Sequence, residues 1–299
     1  MKSYVLPLVS LLALASCTSM TDDPTISAWA TATATATTTF QTARSAEQNA
    51  FLARAVSLPS PSSVLAPQNC NVSNESFRDA KHCTATLTVD GEKVSLAPAG
   101  DKLLVYAQKL QAYGAAMKDA ATAKDLADQK AAIAKFGTSA GALFDVIGVP
   151  GVSAVTSLAS ELISQASLLE RRKALARIAA RTQPAIDALA DALQRAATDL
   201  QRNVVLQNAQ VVAETRLRFA SIPASDPQRS IVGMRLLEAI DAEKAAASVT
   251  FDFTSLKTAH RKMVESLESN KVDSKAALAE IEALWKQLED VRKAFENKS

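Results

Sequence analysis

Two histidines, His82 and His260, and three cysteines, Cys17, Cys70 and Cys83, are the only imidazoles and thiols in 299 residues. Histidine is the usual general base near neutral pH and a common metal ligand, so their placement bounds the chemistry. His260 stands on an apolar stripe between Leu256 and Met263 with no Glu-x-x-His pattern beside it, which predicts a packing residue rather than a metal ligand or base. His82 adjoins Cys83, but two cysteines separated by twelve residues with one neighbouring histidine supply neither the spacing nor the four donors of a structural zinc site. Carboxylates fall beside Lys or Arg at helical spacing, as Glu280, Glu282 and Lys286 do, the pattern of a solvated helix face. The chain has no phosphate loop, serine nucleophile elbow or zinc metalloprotease motif. These residue types predict no catalytic centre, no metal and no cofactor, hence a protein that is not an enzyme.

Cys17 belongs to a different kind of chemistry. A basic start at Lys2, an apolar run from Tyr4 to Ala15 and small residues before Cys17 form a segment too short to span a bilayer and of the length of a cleavable targeting signal. Leu14-Ala15-Ser16-Cys17 resembles the lipobox of bacterial lipoproteins. The resemblance implies cleavage before Cys17 and lipid on its thiol and amine. Thr18 in place of Asp implies, by the family's sorting rule, transfer to the outer membrane, with the protein facing the periplasm. An ordinary secretory signal cut near Ala15 would instead leave Cys17 as a free thiol. Several acyl chains anchor stably at about 0.8 kcal/mol per buried methylene, whereas one is marginal.

Cleavage leaves Cys70 and Cys83 as the remaining thiols. In an oxidising compartment they are expected to pair, closing a polar loop for roughly 3 kcal/mol in the chain-entropy account. Charge excludes one class of partner: 33 Lys and Arg against 31 Asp and Glu give +2, no global attraction for nucleic acid. Arg171-Arg172-Lys173 reads as a solvated helix face.

The elements follow from composition and period. Residues 1–16 form the signal and residues 17–40, with the alternating Thr31–Thr39 run, read as a tether, since Thr and Ala bury too little to hold a lone strand. Residues 41–98 are expected to hold a short helix from Thr42 to Val56, the cysteine loop, and a β-hairpin over Thr84–Leu96 turning at Asp90-Gly91. From 99 to 299 apolar residues recur every three or four positions. Leu103, Tyr106, Leu110, Tyr113 and Met117 mark one helix, continued by Leu126, Ile133 and Phe136. A second runs from Gly151 towards Ala220 through Ile186, Leu189, Leu193, Ala196 and Leu200, with Pro184 kinking it or restarting it behind a Thr182 cap. Ile231, Met234, Leu237 and Ile240 line a third, opened by Asp226-Pro227. Leu256, His260, Met263 and Leu267, then Ile281, Leu284, Leu288, Val291 and Phe295, line a fourth. The predicted fold is mainly α, an elongated antiparallel bundle of long, coiled-coil-like helices carrying a small disulfide-clipped β-hairpin.

Gly137–Leu158 departs from this texture, being nearly uncharged and glycine-rich. It reads as a helical hairpin tip presenting Phe144, Val146, Ile147, Val149 and Val152 to a partner. The tip resembles, in general organisation only, the apolar hairpin of helical pore-forming toxins, but Asp145 would be costly in lipid and the arms are too short for two spans. The functional expectation is a non-enzymatic lipoprotein, joined to the membrane through Cys17 and serving as a structural or protein-interaction module for another envelope protein. The alternatives are a membrane-active protein using the tip and a small-ligand carrier, which would need an apolar pocket.

Overall fold

The structure, a computed structural model, describes residues 24–57, 63–68, 84–89, 92–93, 98–165, 171–268 and 274–296. Eight helices lie among them: α1 (Pro24–Ser57), α2 (Pro98–Thr122), α3 (Leu126–Ile147), α4 (Val152–Gln165), α5 (Arg171–Ser221), α6 (Gln228–Ser248), α7 (Thr254–Glu268) and α8 (Ser274–Glu296). The chain is thus a mainly α, elongated helical bundle. Its 51-residue α5 is about 76 Å long at 1.5 Å per residue and packs against α1, α2, α3, α4, α6 and α7.

The expected fold needs correction on several counts. Residues 24–40 are not a tether. They form the first half of α1, in which Ile26, Trp29, Thr33, Ala36, Phe40, Ala43, Glu47 and Ala50 step by three and four along one buried face. Outward threonines are accommodated by returning their hydroxyls to the carbonyl four residues back, as Thr31 and Thr35 do at 3.0 and 3.1 Å. The short helix expected at 42–56 is the continuation of this one.

Three of the four predicted long helices divide, and the third stays whole as α6. Asp125 breaks α2 from α3 by accepting from the Asp128 amide at 2.8 Å, an N-cap. The second predicted helix becomes α4 and α5, and the fourth becomes α7 and α8. Pro184 neither ends nor restarts α5. Thr182, expected as a cap, is inside the helix with its hydroxyl on the Ile178 carbonyl at 2.7 Å.

The disulfide-clipped hairpin is corrected too: the hairpin over Thr84–Leu96 is the β2–β3 part of a larger sheet, and no disulfide clips it among the described residues. Three strands, β1 (Ser63–Gln68), β2 (Thr84–Val89) and β3 (Glu92–Lys93), pair antiparallel in the order β1-β2-β3, with Leu65 opposite Leu87 and Val89 opposite Glu92. No disulfide occurs among the described residues, and Cys70 and Cys83 lie outside them.

Candidate functional site

His260 is the centre of the bundle rather than of a cleft. Its Nδ1 lies 2.7 Å from Gln183 Oε1 and its Nε2 2.8 Å from the Tyr113 hydroxyl, while Trp29 packs on the ring at 5.2 Å between centroids. Gln183 uses its amide nitrogen on Asp187 Oδ1 at 2.7 Å and on the Lys257 carbonyl at 3.4 Å. Its oxygen is therefore the atom facing the imidazole, so Nδ1 carries the proton and Nε2 accepts from Tyr113. Burial pulls the His260 pKa down to about 3 and raises that of the Tyr113 phenol. Helices α1, α2, α5 and α7 each contribute one member. With His260 and Tyr113 fully buried, the cluster fixes how four helices meet, where the sequence reading expected a partly buried packing residue.

The tip is closed upon itself. Gly148 adopts φ 67° and donates to Asp145 at 3.1 Å, and Val149 donates to Phe144 at 3.0 Å, the two bonds of a Schellman stop. Phe144 is buried, Val146, Ile147 and Val149 are half-buried, and Val152 is 39% exposed. The five residues thus differ in exposure around one turn, from the buried Phe144 to the exposed Val152. Cys17 lies outside the described residues.

An open site exists at the other end of α5. Helix α6 folds back along the last turns of α5 and is fastened at both ends. Arg229 sits over the Phe219 ring at 4.2 Å and donates to the carbonyls of Phe219 and Ile222. Gln201 donates to the carbonyls of Ala246 and Val249 at 2.9 and 2.7 Å, satisfying the C-terminal end of α6. Between α6, α5 and the last turns of α1, with Phe295 of α8 at one end, lies a groove of about 940 Å³.

Its floor is apolar, from Leu52, Val204, Val211, Val232 and several alanines, and charges of both signs stand along it: Glu214 and Arg218 on α5, Arg235 and Glu238 on α6. Two polar side chains in it are nearly buried, Asn208 at 6% and Thr215 at 9% exposure. Neither forms a hydrogen bond with a described residue. Leu217, on the same stretch of α5, is 70% exposed.

The sequence reading missed this site because it placed Ile231, Met234 and Leu237 inward. All three are more than half exposed, while Val232, Ala239 and Ala246 form the buried face of α6. The available signal was apolar residues on both sides of one helix, which a helix with a single covered face does not need. Next to the groove-lining Ala46 on α1, Glu47 is buried and accepts from the Gly100 amide at 2.8 Å and from Asn203 Nδ2 at 2.7 Å. Burial raises its pKa against the lowering effect of those donors. Arg44 pairs with Asp101 beside it.

Among the described residues no group of three or more His, Cys, Asp or Glu could hold a metal ion, and no described helix is long and apolar enough to cross a membrane. Comparison with known protein families, curated proteins and solved structures gives no match.

Proposed function

We propose that this chain is a non-enzymatic envelope lipoprotein, held to the outer membrane by lipid on Cys17 and facing the periplasm, whose bundle is a protein-interaction module. The observation that carries the reading is the groove along α5 and α6, with an apolar floor, Leu217 exposed at its edge and two nearly buried polar side chains without a protein partner. The lipobox residues Leu14–Cys17 support the placement. The closed, four-helix setting of His260 supports a non-catalytic bundle.

Mass spectrometry of the mature amino terminus tests the anchor: diacylated or triacylated Cys17 supports it, and an unmodified Cys17 or another terminus rejects it. A photo-crosslinking residue placed in cells at Leu217 or Arg235, with Val152 as comparison, tests the surface. The expected result is one envelope protein captured from the groove and lost in a folded Val232→Asp variant. Capture insensitive to that substitution rejects the groove as the interaction surface.

The same volume favours a second reading, a small-ligand carrier, since 300–1,000 Å³ is the range of small-molecule sites. Native mass spectrometry of protein from its own membranes separates the two: a stoichiometric bound amphiphile favours the carrier.

A further inference from the structure

The groove changes character along its length, and the pairing of its helices fixes the order. Gln201 holds the C-terminal end of α6, and Arg229 holds its N-terminal end to Phe219, so α5 and α6 run antiparallel beside it. The inner end is apolar: Val204, Ala246 and Phe295 line it at 3%, 1% and 3% exposure, and Phe295 stacks on Phe251 at 6.4 Å between centroids. One turn outward along α5 stands Asn208, a neutral amide. Two further turns out come Thr215 and the charged side chains Glu214, Arg218, Arg235 and Glu238, the last three exposed. Val204 and Arg218 are fourteen residues apart, about 21 Å along the axis.

We propose that the groove binds a single-tailed zwitterionic amphiphile, its tail at the inner end, an ester or amide linkage beside Asn208, and its head among Glu214, Arg218, Arg235 and Glu238. The assignment rests on the carrier reading above and names the ligand class for it. An alkyl tail gains from leaving water for the inner end and needs no polar partner there. Asn208 and Thr215 are nearly buried, line the groove and hydrogen-bond no described residue, yet neither is among the polar atoms sealed away without a partner. Asn208 offers both a donor and an acceptor at this level, which suits a carbonyl linkage between tail and head.

The head follows from charge. The two arginines and two glutamates form no ion pair among the described residues, and together they sum to zero. A purely anionic head would bring its charge against Glu214 and Glu238, and a purely cationic head would meet Arg218 and Arg235. A head carrying both signs finds an opposite charge for each.

The test uses the full-length mature protein in phosphatidylcholine vesicles, exposed to a lysophosphatidylethanolamine with a photoreactive diazirine at the end of its tail. Labelled residues are mapped by peptide mass spectrometry. The expected label falls on Val204, Ala246 or Phe295 and is competed by unlabelled lysophosphatidylethanolamine. A fatty acid and an alkylamine of the same tail length should each compete roughly fivefold less well. Lengthening the competitor's tail should improve it roughly two- to fourfold per methylene, the gain stopping before palmitoyl because the inner end is closed. Ala53→Trp and Ala242→Trp, at lining positions that are not fully buried, should each abolish the label with unchanged circular dichroism.

Label at the α3–α4 turn or spread over the outer face of α6 would overturn the proposal, as would label indifferent to both substitutions. Equal competition by the fatty acid or the alkylamine would overturn the zwitterionic head while leaving the carrier reading standing. No label at any position, with no amphiphile bound to protein from its own membranes, would overturn both and leave protein capture as the use of the groove.

Discussion

The hydroxyl of Tyr113 on α2 donates to Nε2 of His260 on α7 at 2.8 Å, and that bond requires the imidazole to be neutral. A proton on Nε2 would turn an acceptor into a second donor aimed at a hydroxyl in a dry core.

The pH dependence of stability follows. The folded pKa of His260 is lowered to about 3 from 6.5. The unfolded chain therefore binds the proton first, and the stability is present above pH 6.5 and lost as pH falls towards 3. Between pH 7 and 5 the loss should be about 2 kcal/mol. Urea midpoints measured across this range should fall, and His260→Gln should flatten the fall below pH 6.5. An equally steep profile in the variant would exclude His260 as its source.

Glu47 contributes with the opposite sign. Its pKa is raised by burial, so its contribution is fully present below the unfolded value near 4.5 and is lost as pH rises through the folded value. Its carboxyl accepts from the Gly100 amide in the first turn of α2 and from the Asn203 side chain of α5. Glu47→Ala should cost about 2 kcal/mol, leaving a buried amide and a carboxamide unpaired. Glu47→Gln keeps an acceptor and should cost less than half as much in the same denaturation assay.

The two glycines of the α3–α4 turn separate backbone conformation from crowding. Gly148 has φ 67° with nothing near a would-be Cβ, whereas Gly151 has φ 152° and a Cβ there would collide with the Phe144 ring. Gly148→Ala should cost about 1 kcal/mol, the left-handed penalty alone. Gly151→Ala should cost more than twice that by thermal denaturation, since the ring must move as well. Similar losses would mean that Phe144 does not pack as described.

How much of this was legible depends on side-chain size. The stripes of α2, α7 and α8 were readable because Leu103, Met117, Leu256, Met263 and Leu288 advertise their faces. Those stripes are buried where the spacing put them. The face of α1 has the same regular spacing but is written largely in Ala, Thr and Glu47, which also suit a solvated linker, so its burial depends on neighbours the sequence does not display. Gly114 illustrates this: any Cβ there would meet Thr33, a close approach visible only in three dimensions.

The groove was hidden by a reversal. On α6 the larger Ile231, Met234 and Leu237 face outward, and Val232 with alanines packs inward. Size-based reading selects the wrong face whenever the larger apolar residues of a helix are the exposed ones. At the tip, Phe144 of the apolar run is turned inward against Gly151, while Val152 stays 39% exposed.

Helix α6 rests mainly on α5, through small side chains and the hydrogen bonds at its two ends. Little apolar area has to be exposed to release it. The molecule should therefore not open all at once: α6 amides should exchange with deuterium well before those of α5 around Ile186 and Leu189, which lie at the covered centre. Protection of α6 equal to that centre would show a single cooperative unit. Unequal protection would make the outer wall of the groove a part that is ordered last and released first, so that a bound partner would add most of its stabilisation there, where the chain has least of its own.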